Sequence, residues 1–231
     1  MKLDIPGKKP QTVTIGVHDF QHTLFHPFSR GRLKRLASWP KYITELYNGD
    51  YRTLAYSALK RRVGHDSEEI MPIQMDNSLG ISAKREKQLN NRPAVRWLGD
   101  INAEYKNTRK VTTSPVVNDA FRTHTKTDVP VLMIHGEMDK NTPLSNAHFL
   151  MQYLKNGHLI QTKRGTHGNK WKLFLRDQKL GKKILQFMAV DFNQTPFQEF
   201  RKTLPKTYEF PPLRFLPIQG KALFERLWED K

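Results

Sequence analysis

Two residues that could carry acid–base chemistry follow two neighbouring apolar segments of the chain. Asp139 comes after the apolar run at 129–135, and His167 follows a second short apolar segment at 158–162. In open α/β sheets, functional residues lie in the loops at the carboxyl ends of the strands. A carboxylate at one strand end and a histidine at the next can approach each other. The carboxylate would then orient an imidazole that acts as a general base.

The segments around these residues alternate between strand-like and helix-like patterns. The continuous apolar run at 129–135 favours a strand buried on both faces, and 158–162 favours a second strand. Amphipathic patterns over 144–156 and 170–189 predict a helix after each strand. This alternation is typical of a parallel α/β sheet. Two strands do not form a stable sheet alone, so we expect further strands, for which the mostly helical remainder offers few candidates.

The rest of the chain shows helical patterns followed by a proline-rich end. Helical segments are predicted at 51–63 and 82–98, whereas 193–231 is interpreted as an extended appendage, with a partly ordered tail as the alternative. The predicted division is 1–70 as a helical cap or lid segment, 71–128 as a cap return segment, 129–192 as the α/β core with the acid and histidine loops, and 193–231 as a Pro-rich C-terminal appendage.

Composition excludes some classes of function and leaves others open. The 231 residues include no cysteine, which excludes disulfides, thiolate metal sites and a cysteine nucleophile. The formal net charge of +17 is spread along the chain rather than gathered in a basic tail, so we expect no nucleic-acid binding, although a basic binder remains the weakest alternative.

No segment is apolar enough to span a membrane. The protein is expected in the cytoplasm if residue 1 is the true start, and outside it if an upstream half carries a signal.

Several motifs together resemble the late strands and loops of an α/β-hydrolase. The stretch Pro130–Gly136 with Asp139, Thr142-Pro143 and Asn146-Ala147 resembles the strand and acid loop of that family, and Gly157–Ile160 with Gly165–Gly168 resembles its last strand and catalytic-histidine loop. The pattern is most similar to the branch of prolyl and tripeptidyl aminopeptidases. The resemblance implies the C-terminal part of the parallel sheet plus a mostly helical cap region. It also implies that Asp139 is the triad acid and His167 the triad base.

Upstream segments share this resemblance more loosely. Residues 39–55 are similar to a helical cap segment of the branch, and 73–82 to the return from the cap to the core. Caps in this branch select the N-terminal end of a peptide substrate, usually through acidic groups. Asp76 and Glu104 are acidic residues of the predicted return segment, and neither is assigned that role.

The nucleophile of the family has no counterpart in this sequence. None of the eight serines has a glycine two residues before it and another two residues after it, as the G-x-S-x-G elbow requires. The family order Ser…Asp…His would place the elbow upstream of the cap. The sequence therefore predicts the C-terminal portion of a serine hydrolase, similar to an aminopeptidase. It would hydrolyse peptide or ester bonds when joined to an upstream nucleophile half and would be inactive alone.

Other interpretations of the same residues stay open. Asp139 could cap the helix after Pro143, and His167 could be an ordinary surface histidine. His135 is interpreted as structural, and the spacing of His18, His22 and His26 lacks the carboxylate or cysteine that would complete a metal site. We expect no cofactor and no metal. A non-catalytic hydrolase remnant or binding module is the alternative function, with a second copy or a partner chain covering the open sheet edge.

Overall fold

The structure, a computed structural model, describes residues 1–25, 36–63, 70–99 and 125–228 apart from 169, together with 106–107, 109–110, 113, 115–118 and 120. Contacts divide the chain into two compact units. One comprises Met1–Leu59 with Thr125–Lys231, and the other is Lys60–His124. The predicted domain boundaries remain predictions, because they follow the family resemblance rather than these contacts.

A three-stranded parallel sheet forms the centre of the larger unit. The described strands are β1 (Lys2–Leu3), β2 (Gln11–Thr12), β3 (Val131–Gly136), β4 (Gly157–Lys163) and β5 (Thr207–Glu209). β1 and β2 form a separate antiparallel pair, while the order of the parallel sheet is β3-β4-β5. Ile134 lies opposite Ile160, and Lys163 opposite Glu209. The third strand comes from the proline-rich segment.

Eleven helices are found among the described residues. They are α1 (Val17–Phe25), α2 (Trp39–Tyr47), α3 (Arg52–Val63), α4 (Ile70–Leu79), α5 (Ala83–Asn90), α6 (Val95–Leu98), α7 (Leu144–Met151), α8 (Lys170–Arg176), α9 (Gln178–Ala189), α10 (Phe197–Lys202) and α11 (Leu223–Arg226). A parallel sheet with helical regions confirms the predicted α/β class, with an α/β-hydrolase-like arrangement. Within the described part of the chain, no helix has both the length and the hydropathy needed to cross a bilayer.

The core of the sheet lies between β4 and the helices that follow it. Its buried members are Ile160, Leu173, Leu180, Ile184 and Phe210. The helix predicted at 170–189 is in fact two helices, because Asp177 accepts a hydrogen bond from the Leu180 amide (2.9 Å) and caps α9. The break lets Leu173 and Ile184 both face the sheet.

A second core joins the beginning of the chain to its end. Leu3, Ile5 and Val13 pack with Ala55 and Ala58 of α3 and with Phe224 of α11. The ammonium of Lys41, only 2% exposed, donates to the Ile218 carbonyl (2.8 Å) and the Gly220 carbonyl (3.1 Å), and lies 3.5 Å from the Glu45 carboxylate. The segment after β5 is therefore fixed to α2 by a buried cation.

The described residues of the smaller unit include several short helices. The helix predicted over 82–98 is interrupted, because the turn Asn91–Ala94, which contains Pro93, separates α5 from α6. Ser82 caps α5 by accepting from the Arg85 amide (3.3 Å), and Gly99 ends α6 with a φ of 66°. Trp97 is 82% exposed. Residues 64–69 of this unit lie outside the described residues.

Candidate active site

The structure brings Asp139 and His167 into direct contact. Nδ1 of His167 lies 2.9 Å from Oδ2 of Asp139. A carboxylate only accepts, so Nδ1 carries the proton in this hydrogen bond, and the neutral ring then has its lone pair on Nε2. The Asp139 side chain is 7% exposed and that of His167 is 40% exposed. A buried carboxylate that holds an accessible imidazole in the Nδ1–H tautomer suits a general base.

Three further hydrogen bonds fix the Asp139 carboxylate. Oδ1 accepts from the amides of Asn141 (2.9 Å) and Thr142 (3.0 Å), and Oδ2 accepts from the Thr142 hydroxyl (2.9 Å). Burial acts to raise the pKa of Asp139. The hydrogen bonds from the Thr142 amide, His167 and the Thr142 hydroxyl outweigh it and hold that pKa below its ordinary value. The carboxylate is therefore ionised near neutral pH.

Two glycines allow the acid loop and the histidine loop to touch. A Cβ on Gly136 would lie 2.5 Å from the Gly165 carbonyl oxygen, and a Cβ on Gly165 would lie 2.1 Å from the Thr162 hydroxyl. Backbone hydrogen bonds cross the same contact, from the Glu137 amide to the Thr162 carbonyl (3.0 Å) and from the Met138 amide to the Gly165 carbonyl (2.8 Å). Side chains at either glycine would move Asp139 away from His167.

Two residues beside Asp139 complete its surroundings. Nδ1 of His135 lies 3.2 Å from the Gly136 carbonyl, and its Nε2 lies 4.0 Å from Oδ2 of Asp139. His135 therefore borders the site without a close hydrogen bond to the carboxylate. Burial lowers the pKa of Lys140 to about 8, although the negative charge of Asp139 opposes the shift.

Four contributors to this geometry were not predicted from the sequence: Thr142, Arg164, Glu209 and Phe210. The Thr142 hydroxyl shares Oδ2 of Asp139 with His167. The Arg164 side chain contacts Glu209 and the Phe210 carbonyl, which belong to the proline-rich segment. The threonine could have been found, because a hydroxyl three residues after a buried Asp is placed to hydrogen-bond it. Glu209 and Phe210 gave no local signal.

The remaining candidates do not join the pair. His18 and His22 lie on α1 with ring centroids 6.5 Å apart, and His26 lies outside the described residues. Among the residues that the structure describes, no cluster of three or more His, Cys, Asp or Glu could hold a metal ion. The Asp76 side chain and Glu104 also lie outside the described part. Their role in the predicted cap therefore stays open.

A groove of about 640 Å³ lies at the other end of the sheet. It is lined by residues that precede β3 and β4, including Lys126, Asp128, Tyr153 and Lys155. Asp139 and His167 follow the carboxyl ends of those strands, where ligands of open α/β sheets bind. The groove is therefore separate from the candidate active site.

One comparison with known proteins finds a related family. Residues 103–172 match the model of an α/β-hydrolase family described as TAP-like protein. The matched range includes β3, the acid loop, α7, β4 and His167. No curated protein and no solved structure matches the chain significantly. The match supports an α/β-hydrolase family and a hydrolase function.

Proposed function

We propose that this chain supplies the acid and base of a serine hydrolase, similar to an aminopeptidase, when joined to an upstream half that carries the G-x-S-x-G nucleophile. The observation that carries the proposal is the 2.9 Å hydrogen bond from Nδ1 of His167 to the buried Asp139 carboxylate. In a serine hydrolase, that hydrogen bond fixes the imidazole tautomer and stabilises the imidazolium that forms during reaction. Asp139 and His167 are the proposed catalytic residues.

The proposed reaction proceeds by acyl transfer. The serine oxygen attacks the carbonyl carbon of a peptide or ester while Nε2 of His167 takes the hydroxyl proton. The imidazolium then gives that proton to the leaving amine or alcohol, and the acyl–serine bond forms as the scissile bond breaks. Water, deprotonated by the same nitrogen, then attacks the acyl carbon. The acyl–serine bond breaks, the imidazolium returns the proton to the serine oxygen, and the acid leaves. Backbone amides of the nucleophile half would stabilise the oxyanion.

The open edge of the sheet supports the need for a second half. β3 has the apolar sequence of a strand buried on both faces, yet Val131–His135 are all only half-buried, whereas Ile160 of the central strand is fully buried. Within the described residues, β3 pairs only with β4. It carries no lysine, proline or bulge that would protect an edge. A strand on its free side would complete the sheet next to the acid loop.

A serine-reactive probe tests the proposal on the native protein. Protein captured from source cells with an antibody to this chain should be labelled by a fluorophosphonate. The label should lie on a band larger than 27.0 kDa if the halves are joined, or on a partner of the 27.0 kDa chain if they are separate. His167→Gln should abolish labelling, while His148→Gln, an exposed residue of α7, should not. Absence of labelled serine in any captured species would overturn the proposal.

A second interpretation of the same edge is a non-catalytic remnant or binding module. The half-buried apolar strand β3 favours association whether or not chemistry follows. This alternative predicts a 27.0 kDa species that is not labelled by serine-reactive probes and binds a second copy of itself or another chain. If the probe does react, cleavage of peptidyl anilides versus aryl esters would separate a peptidase from an esterase.

A further inference from the structure

The turn that leads from β4 to His167 contains a residue in an unfavourable backbone conformation. Thr162–Gly165 is closed by a hydrogen bond from the Gly165 amide to the Thr162 carbonyl (3.0 Å). Its third residue, Arg164, has a φ of 57°. Glycine or asparagine is the usual occupant of this left-handed region, because a Cβ crowds the backbone there. Something other than local preference must hold Arg164 in place.

The Arg164 side chain reaches across to the end of β5. Its Nε donates to the Phe210 carbonyl (2.6 Å), and its guanidinium also pairs with the Glu209 carboxylate. The Phe210 amide donates to the Lys163 carbonyl (3.2 Å), so the backbone of Phe210 is held from both sides. Phe210 itself is 2% exposed and belongs to the core of the sheet. The Arg164 guanidinium thus links the turn to the core of the sheet.

The same turn is linked directly to the acid loop. The Gly165 carbonyl accepts from the Met138 amide (2.8 Å), one residue before Asp139. The Arg164 amide also lies 3.4 Å from the Glu137 carboxylate. Any rotation of the turn would therefore alter both the start of the histidine loop and the residue that precedes the acid. The turn is thus hydrogen-bonded to the loops that carry both Asp139 and His167.

We infer that Arg164 and Glu209 are positioning residues for the Asp139–His167 pair, and that β5 belongs to the machinery of the site. The catalytic meaning of the inference rests on the proposed function. The ion pair is half-exposed, with side-chain exposures of 37% and 54% for Arg164 and Glu209. Exposed ion pairs contribute little to global stability. We expect the Arg164–Glu209 ion pair to affect the geometry of the histidine loop rather than the stability of the whole fold.

Proton NMR of the full chain with isotope-labelled histidine measures this geometry without catalysis. The Nδ1 proton of His167 is identified by its loss in His167→Gln. Arg164→Gly removes the side chain while keeping the left-handed φ favourable, and Glu209→Ala removes the carboxylate. In both variants we expect that proton to exchange with water about tenfold faster or to disappear, because the loop opens locally. Glu209→Gln, which keeps an acceptor oxygen, should restore part of the protection.

Controls separate a local effect from general loss of structure. Glu199→Gln, an exposed carboxylate of α10 in the same segment, should leave the His167 proton unchanged. Exchange of the Leu173 amide reports the core. The inference is overturned if Arg164→Gly and Glu209→Ala leave the His167 proton protected, or if Leu173 loses as much protection as His167. If the NMR results are as expected but no serine is labelled by the fluorophosphonate, Asp139 and His167 are not catalytic. Arg164 and Glu209 would still position that pair.

Discussion

The carbonyl oxygen of Gly165 occupies the space beside Gly136 in which any other residue would carry its Cβ. The separation from that Cβ position would be 2.5 Å, and the neighbouring carbonyl carbon lies at 2.7 Å. Both atoms belong to the backbone and cannot move aside as a flexible side chain would. The contact between the acid loop and the histidine loop therefore requires glycine at position 136.

Gly136→Ala should destabilise the fold and separate the pair. Overpacking against backbone costs about 1–3 kcal/mol, and the loops must part to relieve it. Urea unfolding should show the loss of stability, and the Nδ1 proton of His167 should lose protection. Gly16→Ala is the matched control, because nothing lies within 4 Å of its Cβ position. Equal stability of the two variants would contradict the close approach.

Thr142→Val should remove one hydrogen bond to the Asp139 carboxylate while nearly preserving the side-chain volume. The variant removes the hydroxyl that donates to Oδ2 but keeps the amide that donates to Oδ1. We expect a loss of about 1 kcal/mol, because Thr142 is exposed and water replaces part of the bond. The pKa of Asp139, followed by NMR, should rise. Thr12→Val, on the exposed strand β2, should change neither quantity.

The contribution of Asp139 to stability should depend on pH in the acid range. Its native pKa lies below its ordinary value, so the ionised carboxylate stabilises the fold above the unfolded pKa of about 3.9. That contribution is lost as the pH falls through the native pKa. Relative to wild type, Asp139→Asn should be less stable at neutral pH by about 1–3 kcal/mol, and the difference should shrink below about pH 4. A difference that stays constant with pH would contradict this assignment.

Lys41→Met should destabilise the larger unit strongly. It leaves the Ile218 and Gly220 carbonyls without their donor and the Glu45 carboxylate without its cation. Breaking a buried, hydrogen-bonded charge typically costs about 3–5 kcal/mol. The variant should unfold at a lower temperature. Limited proteolysis should cleave it faster in the segment that follows Phe210. Lys206→Met, at an exposed lysine, is the control. Equal losses of stability in the two variants would contradict a stabilising role for the buried Lys41 ammonium.

The Asp139–His167 pair could be predicted because its signals are local. Each residue follows a short segment whose pattern favours a strand, and parallel strands bring their carboxyl ends together. The flanking glycines at 136 and 165 belong to the same short patterns. That the pair is catalytic, rather than a helix cap and a surface histidine, remains a prediction.

The role of the proline-rich segment could not be predicted from its own residues. Thr207–Glu209 is three residues long, with one aromatic side chain and no alternation that a strand pattern needs. It becomes a strand because β4 offers an edge and Arg164 holds its end. The burial of Lys41 could not be predicted for the same reason, since its acceptors lie 177 and 179 residues away. The cap at Asp177, in contrast, has a local signal that the single-helix prediction over 170–189 missed, because Asp is a preferred N-cap residue.

The contact of Lys41 with Ile218 has a consequence for how the chain reaches its fold. The second core, around Leu3 and Ala55, is complete only when Phe224 packs against it, and Arg52 pairs with Glu225 across 173 residues. Closing so long a loop costs conformational entropy before any packing compensates, and contacts of this range slow folding. We therefore expect the packing around Leu3 and Ala55 to be completed late in folding, and their apolar side chains stay accessible to chaperones until then.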